Sequence, residues 1–499
     1  MKDFVLSRFD YEIDCEGGVK DALAEFDIKN DTLTVRLTAE NDRPRFVTLR
    51  WNFETKGDRF VLGDAWERSY ADLAFRRLSE NGRAMPWYFA ATDKEITCCL
   101  GVKTQPNAFV SFRYDGKGVT ALIDCRNGGS GVKLAGRKID LCTFIYSRFS
   151  LAPFEALQEF CRSLCSRPLL PREVIYGGNN WYYAYGESSY EEILSNARLQ
   201  ARLAEGIENR PFMVIDDGWQ VNSCSGPYLP NGKFRDMKAL ADEIKALDVR
   251  PGIWVRLLEN YSPDITDDMK IERGGEKKYL DPTNEKVKDL IRSDIRRMKE
   301  WGYELLKHDF STNDLFGDFG GNLTDTITNY DGWHFEDETK TGAEIVLDFY
   351  RLIKEECGDM LVLGCNTVSH LSAGLVHLSR TGDDTSGREW RRTRDYGVNT
   401  LAFRLPQNKT FYLGDADCVG ILDDNIPWSK NKQWLDVLAK SDTALFTSCA
   451  SLTAEQERDI SEAYREIQKP HSIKPVDIYE NLTPRVWEID GKEITYNWD

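Results

Sequence analysis

From about residue 173 the chain keeps a rhythm that few folds accommodate: a short apolar run, a connection, an amphipathic helix, then another apolar run. The runs, in order, are VIYGGNNWYY, FMVIDDGW, RPGIWVRLL, YELLKHDFS, MLVLGCNT, LSRTGDDT, KTFYLGDADC and ALFTSCA. Near-continuous apolar runs that alternate with helices read as strands covered on both faces, as in a parallel sheet. Between them, SYEEILSNARLQARLAEG (189–206), NEKVKDLIRSDIRRMKEWG (284–302) and TGAEIVLDFYRLIKEECG (341–358) have helical spacing. In the second, Val287, Leu290, Ile291, Ile295 and Met298 fall on one stripe. VSHLSAGLVH, between the fifth and sixth runs, is short and weakly helical. A βα rhythm with eight strands predicts an α/β fold, the (β/α)8 TIM barrel, whose usual size is about 250 residues. A doubly wound sheet competes, but no glycine-rich phosphate loop follows the first strand.

At 499 residues the chain exceeds what one core usually serves. Its first part reads as antiparallel β: DTLTVRL (31–37), RFVLGDAW (59–66), EITCCLGV (95–102), AFVSFRY (108–114) and VTALIDC (119–125), with DGKG (115–118) and NGGSG (127–131) as hairpin turns. The expected organisation is an N-terminal antiparallel β-sandwich over 1–165 and the barrel over 171–469. A helix in APFEALQEFCRSLCSRP (152–168) links the two. RVWEID and EITYNWD then form a short C-terminal β segment within 470–499.

A net charge of −17 and a pI near 5.0 argue against nucleic-acid or anionic-membrane partners, because phosphate repels such a surface. The N-terminal residues carry no apolar signal region, and no run of 18 apolar residues occurs. None of the 12 cysteines forms a CxxC, and the five histidines have no metal-like spacing. No zinc site is therefore expected, and with no export signal visible the cysteines read as reduced thiols in a cytoplasm. Aromatic residues make up 12% of the chain, which suits large cores and also sugar stacking; composition does not separate the two.

In a barrel of this kind the reactive groups stand at the C-terminal ends of the strands. There the first run supplies Trp181, Tyr182 and Tyr183, the second Asp216 and Asp217, and the third Trp254 and Arg256. The fourth delivers Lys307 and Asp309, the fifth Cys365 and Asn366, the sixth Arg380, Asp383 and Asp384, and the seventh Asp415 and Asp417. Lys307 and Asp309, two apart on a strand, point to one face, while His308 points away. Such a lysine would hold Asp309 ionised and suited to nucleophilic attack. Taken singly, each pair has a plainer reading: a rim salt bridge for Lys307–Asp309, a helix cap for Asp216–Asp217, a loop ion pair for Arg380–Asp384. Taken together, acids, a few cations and aromatic walls without metal ligands are what glycoside cleavage needs.

At these residues the chain resembles the α-galactosidases of the melibiase type, glycoside hydrolase family 36, relatives of family 27. The resemblance rests on NNWYYAY, VIDDGWQ, PGIWV, LLKHDF, GCN, RTGDD and LGDADC, spanning about 174 to 420. It implies Asp309 as nucleophile and Asp384 as general acid/base, the latter four residues after Arg380 as in the family's R-x-x-x-D spacing. Asp216 and Asp217 would bind the 4- and 6-hydroxyls of a galactose-like ring, with Lys307 and Arg380 completing the grip. Trp181, Tyr182, Trp254, Cys365 and Asn366 would line the pocket. Retention of configuration would place the two catalytic carboxyls about 5–5.5 Å apart. The resemblance implies no metal or organic cofactor; the implied partner is an oligosaccharide ending in an α-linked galactose-like sugar, and a homo-oligomer of unspecified number is admitted.

Two features depart from the family pattern. The stretch 311–340 after the fourth strand is long, and its Phe316, Phe319, Tyr330 and Trp333 either wall the site or pack on one another at the surface. The C-terminal β segment is short. An α-N-acetylgalactosaminidase, a raffinose-synthase-like transglycosidase and a catalytically silent sugar-binding barrel stay open beside the α-galactosidase reading. A metal-dependent barrel hydrolase lacks its H-x-H or H-E-x-x-H spacing.

Overall fold

The computed structural model describes residues 1, 4–55, 59–422 and 425–499. Eight parallel strands close into a barrel: β1 (Tyr176–Asn179), β2 (Phe212–Ile215), β3 (Arg250–Val255), β4 (Leu305–His308), β5 (Leu361–Gly364), β6 (Leu378–Arg380), β7 (Leu413–Ile421) and β8 (Ala444–Cys449), with β8 pairing back onto β1. Seven of the predicted runs each contain one of them, and β7 begins in the seventh, KTFYLGDADC (409–418), and runs past its end to Ile421. Nearly every strand residue is buried, as a sheet lined inside by its own side chains and covered outside by helices requires. Three of the covering helices start at side-chain caps: Ser189 for Tyr190–Leu203, Asn284 for Glu285–Glu300, and a capping box of Thr341 and Glu344 for Gly342–Cys357. The link from β5 to β6 has one short helix, Ser369–Ser372. Among the described residues, no helix is long and apolar enough to cross a membrane.

Two antiparallel sheets precede the barrel. One has five strands in the order 10–15, 44–52, 118–124, 109–114 and 85–86; the other has seven, in the order 23–29, 32–38, 139–149, 97–102, 88–92, 60–63 and 76–77. Strand Thr32–Thr38 alternates buried and half-buried residues, placing Leu33, Val35 and Leu37 in the core with Trp51 and Phe144. DGKG is a hairpin turn, joining 109–114 to 118–124. NGGSG is not: the strands on either side of it belong to different sheets, and only the single bridge Asn127–Ser130 forms within it. Its glycines serve close approach instead. A Cβ on Gly128 would lie 2.8 Å from the Trp333 ring, and Gly128 has φ +59°.

Trp333 belongs to the long stretch 311–340, which serves chiefly as a clamp between sandwich and barrel. Phe316 packs edge-on against Phe109, their centroids 5.3 Å apart, and Trp333 packs on Phe335. Asn127 holds Phe335, Asp337 and Lys340 by three backbone hydrogen bonds, and Arg113 forks onto Asp325. Tyr330 lies half-exposed by Arg273. Of the four aromatics open to either reading, Phe316 and Trp333 pack on each other, 6.5 Å apart, and Phe319 lies 5.9 Å from Phe310, the neighbour of Asp309. At the C-terminal end, strands 473–475, 486–489 and 492–495 form a three-stranded sheet.

Candidate active site

The strand ends converge as the barrel rule requires. Lys307 on β4 reaches past β3 to Asp216 after β2, Nζ to Oδ2 2.5 Å, and Asn179 donates to the same oxygen at 2.7 Å. Burial alone would lower the Lys307 pKa; Asp216, with Cys365 and Asp309, outweighs it and keeps the lysine charged well above its ordinary range. The direct partner of Lys307 is thus Asp216, where its place on one strand had suggested Asp309. Asp309 is oriented by other donors. The Trp254 indole N–H meets Oδ2 at 3.1 Å, and the backbone N–H of Phe310 meets Oδ1 at 2.9 Å. Phe310 sits at φ +64°, a turn that sends its own N–H back to Asp309, with Arg256 4.1 Å from its ring centre. His308 faces outward onto Phe349 and Tyr350.

Asp217 is fully engaged. Gln220 Nε2 (2.6 Å), Ser223 Oγ (2.9 Å), the Cys224 N–H (2.8 Å) and Cys224 Sγ (3.2 Å) all donate to its carboxylate. These occupy the roughly four acceptor positions a carboxylate has. Asp217 therefore anchors the hairpin of Gln220–Asn222 and Ser225–Pro230, and a sugar hydroxyl would have to displace one of these donors.

On the opposite side, Arg380 at the end of β6 divides its guanidinium. Nη1 meets Cys365 Sγ at 3.4 Å, and Nη2 meets Asp384 and Asp417, each at 3.2 Å. Burial disfavours the charged form of Asp384, but Arg380, Arg68 and Lys307 outweigh it and hold the carboxyl down at about 2. Its neighbour Asp383 is tied by Arg68 at 2.7 Å and Arg392 at 3.3 Å. The Asp384 side chain stays about one-third exposed, against 18% for Asp383. Asp415 and Asp417 lie inside β7 rather than at its end. A bulge, with Asp417 at φ +71°, turns them into the barrel beneath Arg380. Asp417 accepts from the Tyr182 hydroxyl and from Thr385, so Tyr182, on a short helix Trp181–Ala184, is a buried support. Trp181 is half-buried beside Tyr185.

Arg68 comes from outside the barrel. It lies on a loop of the N-terminal sandwich that bonds to the β6–helix connection, Ser69 N to Thr381 O at 2.9 Å and Asp383 N to Ser69 O at 3.1 Å. The Asn366 amide, oriented to satisfy both neighbours, donates to Asp309 Oδ1 at 2.7 Å and accepts from Arg68 Nε at 3.1 Å. Arg68 Nη1 then lies 3.6 Å from Asp384 Oδ1. Glu67 and Tyr70 hydrogen-bond to each other beside it, and Glu67 also accepts from Gly320 N at 2.9 Å. A continuous run, Asp309–Asn366–Arg68–Asp384, therefore links the acid after β4 with the acid after β6.

No protein-family model matches the chain, and no curated protein matches its sequence. Solved structures do. An α-galactosidase from Thermus thermophilus in complex with p-nitrophenyl α-D-galactopyranoside superposes with a TM-score of 0.64 at 17% identity, covering 95% of this chain and 96% of its own. The same enzyme with stachyose gives 0.63 at 18% identity, covering 89% and 96%. A family 36 α-galactosidase from Geobacillus stearothermophilus, in complex with 1-deoxygalactonojirimycin, gives 0.61 at 16%, covering 94% and 71%. The chain has the fold of the family 36 α-galactosidases.

Within that fold, Asp309, Trp254, Asn366, Arg380, Cys365 and Asp384 are joined by the contacts above through Arg68; the Lys307–Asp216 pair stands beside them, coupled by charge to Asp309 and Cys365, with Asp217 and Tyr182 one layer further out. Glu67, Arg68 and Tyr70 were not among the residues expected from the sequence. Their only signal is a charged pair framed by Trp66 and Tyr70 in a stretch without strand or helix period. Among the described residues, no cluster of three His, Cys, Asp or Glu side chains is placed to hold a metal ion.

Proposed function

We propose that this chain is a retaining glycoside hydrolase that releases terminal α-galactosyl residues from oligosaccharides. Asp309 attacks the anomeric carbon, and Asp384 protonates the departing oxygen. Asp384 then takes the proton of the water that cleaves the glycosyl-enzyme. The observation that carries the reading is the run Asp309–Asn366–Arg68–Asp384, which sets two carboxylates at one mouth, each held by named donors. The three N–H groups on Asp309 fix its direction, as in-line attack demands. The fold shared with an enzyme captured with galactosides supports the choice of sugar.

Turnover of p-nitrophenyl α-galactoside tests the reading, beside the α-N-acetylgalactosaminide and β-L-arabinopyranoside analogues. Asp309→Ala is expected to lower kcat by several orders of magnitude, and NMR of the first-formed sugar is expected to show the α-anomer. Undiminished activity in Asp309→Ala would remove the proposed nucleophile.

A further inference from the structure

The connection that follows Asp384 is basic in an acidic protein: SGREWRRTR (386–394) carries four arginines, against a net charge of −17. Three are engaged. Arg391 pairs with Asp395 at 3.1 Å, Arg392 holds Asp383 and the Asp384 carbonyl, and Arg394 meets the Trp498 carbonyl at 3.4 Å. Arg388 differs: it is exposed, and among the described residues no carboxylate lies within 4 Å of it.

Its position is built. Ser386 and Gly387 both have positive φ, +67° and +65°, and turn the chain sharply after Thr385. Thr385 is anchored by two hydrogen bonds to Asp417, and Gly387 lies against the Gly420 backbone, where a Cβ would come within 2.5 Å. The turn lays the Arg388 guanidinium 4.3 Å from the centre of the Tyr185 ring. Tyr185 is itself 38% exposed, held at φ +45°, with Trp181 5.2 Å away. Burial raises the Tyr185 phenol, with Arg388 opposing and Asp384 reinforcing, so both charges stand close to this ring. An aromatic shelf edged by a guanidinium that has no carboxylate partner among the described residues suits a flat group with a planar oxyanion: the ring face takes the apolar part and the fork takes two oxygens.

We propose that the shelf of Trp181, Tyr185 and Arg388 receives the leaving group, and that the preferred leaving group carries an oxyanion, a carboxylate or a phosphate ester. This rests on Asp384 being the acid that faces the departing oxygen. The test has a binding arm that needs no turnover. The full chain is titrated with 4-hydroxybenzoate, 4-hydroxyphenyl phosphate and neutral 4-hydroxybenzamide, followed by saturation-transfer NMR. At least one anion is expected to bind about fivefold more tightly than the amide, as for a partly exposed charge pair. The gap should close in about 0.5 M salt and in Arg388→Gln, and partly persist in Arg388→Lys. The kinetic arm compares kcat/KM for 4-carboxyphenyl and 4-carbamoylphenyl α-galactosides, whose ratio should fall by a similar factor in Arg388→Gln. Preference for the benzoate identifies an acidic-sugar type of aglycone, and preference for the phosphate ester a phosphorylated one. Equal binding of both anions and the amide to the unmodified protein overturns the proposal. Absence of any α-galactoside turnover overturns instead the reading under Proposed function and leaves the binding result to decide this one.

Discussion

Arg68, from the N-terminal sandwich, stands 3.6 Å from Asp384 and 3.1 Å from the amide that holds Asp309. With Asp384 held at about 2, it is charged in the free protein at any ordinary pH, yet a general acid works best with a pKa near the operating pH. A leaving group entering between Arg68 and Asp384 would relieve one of the cations that keep the proton off. Arg68→Met should therefore raise the pKa of Asp384 and move the alkaline limb of the kcat/KM–pH profile upward. A profile unchanged in shape, with activity merely scaled, would argue against Arg68 setting the charge on Asp384.

Asn127 is a joint between the two main layers. It is buried, and its side chain satisfies the Phe335 N–H and the carbonyls of Asp337 and Lys340 at 2.8–2.9 Å. Asn127→Ala leaves three backbone groups without partners, at a cost of about 3 kcal/mol. A lower urea midpoint is expected, with early proteolytic cutting between 318 and 340. An unshifted midpoint would mean that the long stretch does not clamp sandwich to barrel.

The barrel was legible because its signal is local. Runs such as FMVI and LLKH are buried on both faces, and the helices between them keep one apolar stripe. Placing Asp309 and Asp384 at strand ends needed no more than that. What stayed hidden depends on contacts across the barrel or between layers. Lys307 finds Asp216 because β4 and β2 flank β3 and both turn these side chains inward, a relation that spacing along one strand cannot express. Asp415 and Asp417 lie beneath the rim because of a bulge at Asp417, a non-glycine residue at positive φ. Arg68 sits on a loop of another sheet and arrives only when sandwich and barrel dock.

Cys224 is the one cysteine of the 12 that is not buried. Burial, reinforced by Asp217, pushes its thiol up to about 12. Iodoacetamide on the native protein should therefore give a single adduct, on Cys224, with a rate rising about tenfold per pH unit between pH 7 and 10, as the thiolate fraction does. Intact-mass and peptide analysis would check this. Rapid labelling at neutral pH, or labelling elsewhere at the same rate, would contradict it.

Asp415 provides a pH-dependent stability test with a definite sign. Burial raises its carboxyl to about 6, Asp417 reinforcing and Arg380 opposing. In the unfolded chain an aspartate titrates near 3.9. Below about pH 3 the group is protonated in both states and contributes nothing. As pH rises from 4 to 6 the unfolded state ionises first, so folding loses about 2–3 kcal/mol that stays lost at higher pH. Asp415→Asn removes that penalty while its amide oxygen can still accept from the Asp417 N–H, 3.0 Å away. Urea unfolding at pH 3, 6 and 8 is expected to show no difference between variant and parent at pH 3 and an advantage for the variant that grows towards pH 6 and then levels off. An advantage of equal size at all three pH values would show that Asp415 is not the group titrating.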